Sequence, residues 1–586
     1  MRSRSLLTVA ALLTFFSTAF ADSWPQWGRD SQHSGFAPVA GQSPSRILAD
    51  IVYDPFSSQE QAESNGNLLT HFQAPLVDGR DVFMTFKTGT YPSCNPAGSG
   101  TPAPCGSAAW DRQTWNVKRM RWFGSRLIPA WTYRSDWKPI PNGAELGGWE
   151  PVFHPALDSA FIYVPGAGGT IWRVRRDDGS ASNLNPFGSV DALTFVSGPV
   201  TIDISGSLYY NVQKIDATNP SGGGPTFTDV PGAWLVKISD ADADRPLFQI
   251  VSYKTLIADA PRLCTSTFPG VISSLPPTAD AVAPTTPCGS QRAGINVAPA
   301  VGPDGTIYTA SRAHGPRGAA ERYSYVIALN SNLTLKWAAS LRDRLHDGCN
   351  DDAGTFGGAW FPANGTAGGC RRGTTPGVDP QTNQLPAGRV TDLSTSSPVV
   401  APDGSILYGA LTTYNGSRGH LFRFTAAGAF AGAYGFGWDT TPAIYPHDGT
   451  FSVIVKDNTY TRDANGTETG PFYIRQLSAD LSRVEWSFKS TNTRSCRRIS
   501  DSRLFCTDDH PNGFEWCINA PAVDATGDVY ANSEDGRLYV IGQGGIERAN
   551  IFTNLALGAA YTPLALGADG RIYTQNDGHL FVVGTH

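Results

Sequence analysis

Charged residues and long hydrophobic runs are both scarce in this sequence. Asp, Glu, Lys and Arg make up 16% of the 586 residues, and the formal net charge is −6. This mildly acidic balance argues against nucleic acid and against an anionic membrane as partners. After the N-terminus no stretch approaches the about 18 unbroken apolar residues of a membrane-spanning helix, so no transmembrane segment is predicted.

Several signatures of catalysis and metal binding are absent. The sequence has no G-x-G-x-x-G or Walker loop, no G-x-S-x-G and no H-E-x-x-H, so nucleotide binding, serine hydrolysis and zincin chemistry lack support. The nine cysteines include no C-x₂-C pair, and zinc-type spacing is therefore missing.

The N-terminus has the layout of a cleaved signal peptide. Arg2 and Arg4 precede an apolar run from Leu6 to Phe16, and Ala19-Phe20-Ala21 supplies a small–x–small cleavage site. The run is too short for a membrane anchor, and no cysteine near the cleavage site would accept a lipid. Residues 1–21 are thus predicted to be removed, which places the mature protein in the periplasm or outside the cell.

One phrase recurs along the rest of the chain. A proline is followed by apolar residues, an Asp-Gly-type turn and a strand ending in tyrosine, clearest in Ala298–Tyr308 and Ser397–Tyr408. Asp-Gly tolerates the backbone of a tight hairpin turn, so each phrase predicts two paired strands. The eight copies begin at these prolines: Pro75, Pro151, Pro199, Pro299, Pro398, Pro442, Pro521 and Pro563.

The spacing of the copies predicts a propeller. Prolines 151 and 199, 398 and 442, and 521 and 563 are 48, 44 and 42 residues apart, the length of one four-stranded blade. The other intervals each contain an insertion, or alternatively two blades with one unreadable. We expect an all-β, eight-bladed propeller over residues 22–586, forming a single domain. Its last copy lacks an outer strand, which residues 46–53 could supply.

All nine cysteines lie in the four long intervals, which predicts disulfides that staple the inserted loops. The expected pairs are Cys94–Cys105, Cys264–Cys288, Cys349–Cys370 and Cys496–Cys506. The odd count leaves one thiol over. Cys496–Cys506 closes the shorter loop of the last set, so Cys517 is the expected free cysteine.

The opening Trp24–Asp30, with His33-Ser34-Gly35 and the hairpin copies, resembles the pyrroloquinoline-quinone-like propeller superfamily. That group includes quinoprotein alcohol dehydrogenases and the propeller subunit of the bacterial outer-membrane assembly machinery. The resemblance implies that tryptophans such as Trp337 and Trp486 pack neighbouring blades. It also implies a quinone held between a tryptophan floor and adjacent cysteines, with calcium beside it.

This sequence lacks features that are typical of the proteins with either named function. It has no Cys-Cys pair and no C-x-x-C-H haem motif, so no organic cofactor is predicted. The assembly subunit is usually a lipoprotein without long cysteine-pinned insertions, whereas this sequence shows the reverse.

Two polar clusters are candidate ligand sites: His346, Asp347, Asp351 and Asp352 in the third insertion, and Asp508, Asp509 and His510 in the fourth. If both overhang one mouth of the channel, their carboxylates and imidazoles would converge for acid–base work. Oxygen ligands from Asp347, Asn350, Asp351 and Asp352 would suit calcium. The alternative is a pair of solvated loops whose Asp and Asn side chains bind local backbone groups.

The sequence favours a monomeric, exported binding platform for a protein, peptide or carbohydrate ligand. One alternative is an enzyme in the channel mouth, either a quinoprotein-like oxidoreductase or a polysaccharide-active hydrolase or lyase. Another is an assembly partner that recognises an extended peptide by strand addition.

Overall fold

The Asp-Gly phrases form the turns that the sequence predicts. In a computed structural model of the chain, Gly305 and Gly404 take positive φ angles of 77° and 78°. The preceding aspartates close each turn, since the Oδ1 atom of Asp304 accepts a hydrogen bond from the Thr306 amide at 3.0 Å, and Asp403 bonds Ser405 likewise at 2.9 Å. Local chemistry therefore sets the hairpin of each repeat.

The structure describes residues 23–63, 73–91, 111–138, 152–215, 230–257, 289–314, 323–341, 344, 388–392, 394, 396–411, 418–459, 469–500, 503–558 and 562–586. In the first half of the chain the strands are β1 (Arg46–Val52), β2 (Leu76–Asp78), β3 (Asp81–Gly89), β4 (Gln113–Phe123), β5 (Arg126–Arg134), β6 (Ala156–Leu157), β7 (Phe161–Pro165), β8 (Ile171–Arg175), β9 (Ala181–Leu184), β10 (Thr194–Val196), β11 (Thr201–Ile202), β12 (Leu208–Lys214), β13 (Gly232–Ser239), β14 (Leu247–Ser252), β15 (Gln291–Ala293), β16 (Ala300–Val301), β17 (Ile307–Ala313), β18 (Ser324–Leu329) and β19 (Leu335–Ser340).

In the second half they are β20 (Val399–Val400), β21 (Ile406–Ala410), β22 (His420–Phe424), β23 (Phe430–Tyr434), β24 (Ala443–His447), β25 (Thr450–Asp457), β26 (Tyr473–Ser478), β27 (Val484–Lys489), β28 (Arg494–Ser500), β29 (Arg503–Asp508), β30 (Ala522–Val523), β31 (Val529–Asn532), β32 (Arg537–Gly542), β33 (Ile546–Phe552), β34 (Ala565–Leu566), β35 (Ile572–Asn576) and β36 (His579–Gly584). Two short helices are α1 (Ser57–Glu63) and α2 (Tyr253–Leu256). Within the described ranges, no helix has the length and apolar content needed to cross a bilayer.

These strands form eight antiparallel blades, so the predicted fold class is confirmed. Blade 1 is β2–β5, blade 2 is β6–β9, and blade 3 is β10–β14. Blade 4 is β15–β19, blade 5 is β20–β23, blade 6 is β24–β27, and blade 7 is β30–β33. In blades 3 and 4 two short strands share the innermost position, because both pair with the same second strand. The hairpin β28–β29 is a separate two-stranded sheet.

Blade 8 joins the two ends of the described chain. Its inner three strands are β34, β35 and β36, and β1 is its outer strand. The register runs from Arg46 opposite Gly584 to Val52 opposite His579. The N-terminal side of the chain therefore supplies the strand that the last repeat lacks.

The repeat in blade 2 starts at Pro155, and the assignment to Pro151 is wrong. Strand β6 begins at Ala156 and pairs with β7 through Ala156 and Tyr163. The two prolines are four residues apart and both precede apolar residues, so the pattern alone did not separate them. Only the pairing distinguishes the residue that enters the inner strand.

Tryptophans connect neighbouring blades as the resemblance implies. The indole N–H of Trp337 in blade 4 donates to the Ala426 carbonyl of blade 5 at 2.9 Å, and that of Trp122 in blade 1 donates to the Tyr573 hydroxyl of blade 8 at 2.9 Å. Trp486 is buried and belongs to a core cluster shared with blade 7. The blades thus form one continuous structure whose faces are covered by one another.

Candidate functional site

The segment from Trp24 to Gln42, here called the strap, passes along the inner strands of all eight blades in order. It has no strand of its own, so its backbone and side chains pair with the ring instead. Its hydrogen bonds reach, from blade 1 to blade 8, Val77, Leu157, Ile202, Val301, Val400, Ile444, Val523 and Gly570. The strap therefore runs once around the ring axis.

Trp27 of the strap fills the axis. Its side chain is 0% exposed and packs with Val152, Ala298 and Ala520, which precede the inner strands of blades 2, 4 and 7. Blades that are not neighbours can share a contact only near the centre of the ring. His154 meets the Trp27 ring edge-on, with centroids 5.7 Å apart.

Two histidines lie beside this tryptophan and are fully buried. The Nδ1 atom of His33 is 2.8 Å from the Pro398 carbonyl of blade 5, and its Nε2 atom is 3.5 Å from the Thr201 hydroxyl of blade 3. Burial lowers the pKa of His33 to about 4 and that of His154 to about 3. Both imidazoles are therefore neutral at pH 7.

Polar groups next to the repeat prolines bond from one blade to the next. The Ala298 amide donates to the Ser397 hydroxyl at 2.9 Å, and the Ser397 amide donates to the Thr441 hydroxyl at 3.0 Å. The series continues from the Thr441 amide to the Asn519 carbonyl at 2.6 Å. Because these buried groups use one another as partners, they stabilise the ring.

A charged cluster lies between blades 4 and 5. Asp392 accepts hydrogen bonds from Arg292 Nη1 and from Arg312 Nη1, each at 3.0 Å, and from the Ile295 amide at 2.9 Å. Burial alone would raise the pKa of Asp392, but the two guanidinium groups outweigh it and hold that pKa well below its usual range. This buried network attaches the end of the third insertion to blade 4.

Cys517 is buried and is the free cysteine of the described residues. Its Sγ atom lies 2.9 Å from the Glu534 Oε1 atom. Burial, together with Glu534 and Glu515, raises the pKa of the thiol well above its usual value. Such a thiol is protonated and is a poor nucleophile.

The fourth insertion contains the predicted Cys496–Cys506 disulfide, which joins β28 to β29. The candidate ligands of this insertion follow β29. Asp509 and His510 bond each other at 2.6 Å, the Ser495 hydroxyl donates to Asp509 at 2.7 Å, and His510 stacks on Phe514. Asp508 and Asp509 are exposed. The side chains of Asp509 and His510 are thus held by each other and by neighbours within the same insertion, and their role as ligands stays a prediction.

The remaining candidate ligands and cysteines lie outside the described residues: His346, Asp347, Asn350, Asp351, Asp352, Cys94, Cys105, Cys264, Cys288, Cys349 and Cys370. Their convergence with Asp508, Asp509 and His510, the calcium site and three disulfides therefore stay predictions. Across the ranges that the structure covers, no three His, Cys, Asp or Glu side chains are grouped so that they could hold a metal ion.

Sequence reasoning missed the roles of Trp27, His33 and His154. The available signal was the pair of tryptophans and a histidine placed before the first repeat. Residues that precede the first repeat belong to no blade. Their contacts with the blades therefore become apparent only in the closed ring.

No protein-family model matches the chain, and no curated protein matches it in sequence. Solved propeller structures do match. The quinohemoprotein alcohol dehydrogenase from Comamonas testosteroni aligns with 97% of this chain and 81% of its own, at 11% identity and a TM-score of 0.50. A europium-containing methanol dehydrogenase aligns with 94% of this chain and 89% of its own, at 10% identity and a TM-score of 0.47.

BamB from Moraxella catarrhalis aligns with 80% of this chain and 91% of its own, at 11% identity and a TM-score of 0.35. At such identities a likeness shows the fold alone. The chain is an eight-bladed β-propeller, and this is the fold that it shares with the quinohemoprotein alcohol dehydrogenase.

Proposed function

We propose that the mature chain is an exported interaction platform that binds a protein, peptide or carbohydrate partner and carries no quinone. The observation that supports this proposal most strongly is the packing of Trp27 on the ring axis. The fold of a propeller does not determine its function. The side chains around the axis therefore decide whether a quinone could be held there.

The residues at the axis do not fit a quinone cofactor. The resemblance implies a tryptophan floor whose face is open to the quinone ring, but Trp27 is fully buried among Val152, Ala298 and Ala520. The vicinal disulfide that would cover the quinone is ruled out because no two cysteines are adjacent. We therefore derive no reaction step through a quinone.

We expect the partner to bind at the face of the ring where the long connections emerge. They join the second strand of a blade to the third, as from β3 to β4 and from β12 to β13, or one blade to the next, as from β14 to β15 and from β19 to β20. Because neighbouring strands are antiparallel, both kinds of connection emerge at the same face of the ring. Inserted loops on a rigid scaffold are the usual location of recognition sites.

Two measurements test the proposal. Purified protein titrated with pyrroloquinoline quinone and calcium should show no saturable quinone binding, and a dye-linked assay should show no alcohol oxidation. Quinone binding with turnover would overturn the proposal and favour the oxidoreductase.

The positive test compares three forms of the chain as affinity baits. One is wild type, one has residues 345–387 replaced by a short Gly-Ser linker, and one is I204S, a change at an exposed side chain on the turn between β11 and β12. A partner that binds saturably in purified form should bind wild type and I204S but lose affinity for the loop-shortened form. Equal affinity for all three forms would contradict recognition through the third insertion.

A further inference from the structure

The hairpin β28–β29 lies outside the eight blades and presents apolar side chains to solvent. It exposes three large apolar side chains, Ile499, Leu504 and Phe505, at 48%, 40% and 53%. Residues 494–508 also contain four arginines and two aspartates, in a chain that is acidic as a whole. Apolar and basic groups are therefore concentrated on one short, disulfide-linked element.

Three basic side chains of the hairpin have no acidic partner among the described residues. Arg494, Arg497 and Arg503 are exposed, and none of them forms a salt bridge with any residue that the structure describes. Some blade arginines are paired, as in Arg423 with Asp403 at 2.6 Å and Arg571 with Asp569 at 3.0 Å. Arg497 packs over the Phe505 ring, 5.2 Å from its centroid, which places a cation beside an exposed aromatic ring.

Among the described residues, the hairpin is attached to the ring along the edge formed by β28. The Cys496 carbonyl accepts a hydrogen bond from the Ala556 amide, and the Arg498 amide donates to the Asn554 carbonyl, both at 2.8 Å. The Arg498 guanidinium donates to the Thr553 and Phe552 carbonyls, each at 2.8 Å. Strand β28 is thus anchored along the connection between blades 7 and 8, while β29 has no other strand beside it among the described residues.

The directions of the exposed side chains indicate which kind of partner surface could contact the hairpin. Leu504 and Phe505 are consecutive in β29, so they point to opposite faces of the hairpin. A protein groove covers one face of such a hairpin, whereas the interfacial region of a bilayer can surround an inserted element on every side. Exposed apolar groups next to unpaired arginines also match a surface of acyl chains and anionic headgroups.

We propose that the β28–β29 hairpin docks the protein on an anionic lipid surface. The negative net charge of the whole chain would disfavour an anionic surface. Electrostatic interactions are screened within about 8 Å at physiological ionic strength, so the charges of the hairpin itself decide. Ile499, Leu504 and Phe505 would enter the interface, and Arg494, Arg497 and Arg503 would contact the headgroups. This docking goes beyond the proposed function, since the platform could also bind its partner in solution.

The experiment is co-sedimentation of the full mature chain with vesicles. Wild type should bind vesicles of phosphatidylcholine and phosphatidylglycerol in equal amounts, bind pure phosphatidylcholine far less, and dissociate as salt is added. The variant R494Q/R497Q/R503Q should lose on the order of a hundredfold in affinity, given the contribution of each basic residue near an anionic surface. The variant I499S/L504S/F505S should also lose binding.

A matched control is F123S/R126Q/I128S, which removes exposed apolar and basic side chains from the end of β4 and the start of β5, and it should bind like wild type. Circular dichroism and mass analysis of the Cys496–Cys506 bridge check that each variant is folded. Absence of vesicle binding by wild type, or equal binding by the hairpin variants, would overturn the inference. Binding of soluble polyglutamate instead of vesicles would also overturn it and indicate an acidic peptide. None of these readouts involves the proposed partner, so failure here is distinct from failure of the platform.

Discussion

The ring axis and the β28–β29 hairpin use the same residue types in opposite ways. Trp27 at the axis, His33 beside it and Arg292 between blades 4 and 5 are fully buried, while Phe505 and Arg497 of the hairpin are exposed. A buried polar group must find a partner to offset its lost hydration, and the contacts of His33 and Arg292 join separate parts of the ring. Exposed side chains have no such requirement. The comparison teaches that buried polar residues hold this ring together, whereas the exposed residues of the hairpin are free of that structural role.

The largest effect should come from emptying the axis. We expect W27A to lower the free energy of unfolding by about 3–5 kcal/mol, because truncating a large buried aromatic side chain leaves a cavity among several blades. The hairpin change F505A should cost less than about 0.5 kcal/mol. Urea unfolding followed by tryptophan fluorescence and circular dichroism measures both. Similar losses in the two variants would remove the distinction between axis and hairpin.

A change in the charged cluster should be nearly as costly. R292M leaves Asp392 buried with Arg312 as its remaining guanidinium partner, and removing one member of a buried charge network typically costs about 3 kcal/mol. The matched change R497Q on the hairpin should leave the midpoint of urea unfolding unchanged. If R292M were as stable as wild type, the cluster would contribute specificity rather than stability.

Acid should weaken the axis before it affects the hairpin. The pKa of His33 is lowered to about 4 and that of His154 to about 3, so the unfolded chain binds more protons below pH 6.5. Stability is therefore fully present above pH 6.5 and falls as the pH drops towards 4, by about 1.4 kcal/mol per pH unit for each histidine. Melting temperatures measured from pH 7 to pH 4.5 should decline less steeply in H154Q than in wild type. Parallel curves would show that His154 does not titrate as a buried neutral group.

The smallest effect concerns a single contact between blades. W337F keeps an aromatic ring but removes the N–H that donates to the Ala426 carbonyl, and we expect a loss of about 1 kcal/mol. W131F is the matched variant, since the Trp131 indole donates to the Arg176 carbonyl between blades 1 and 2 at 2.9 Å. Comparable losses would indicate that outer-strand tryptophans contribute equally around the ring, whereas a change only in W337F would single out the blade 4–5 contact.

Several features of this fold can be read from the sequence because they depend on local chemistry. Asp304-Gly305 and Asp403-Gly404 predict hairpin turns, since the carboxylate bonds the following amides and glycine tolerates positive φ. Eight such turns predict eight blades, and an incomplete last repeat predicts an outer strand from residues 46–53. The spacing of Cys496 and Cys506 also favours a local bridge.

Other features were decided only by the tertiary structure, because they join residues that are distant in sequence. Nothing around Trp27 indicates that its ring would meet Val152, Ala298 and Ala520, and nothing near Pro151 shows that β6 follows Pro155 instead. The sequence by itself therefore determined the repeat and the number of blades. Closure of the ring decided which polar residues are buried partners and which, like Arg497, remain exposed, since burial depends on what packs against a residue rather than on its neighbours in the chain.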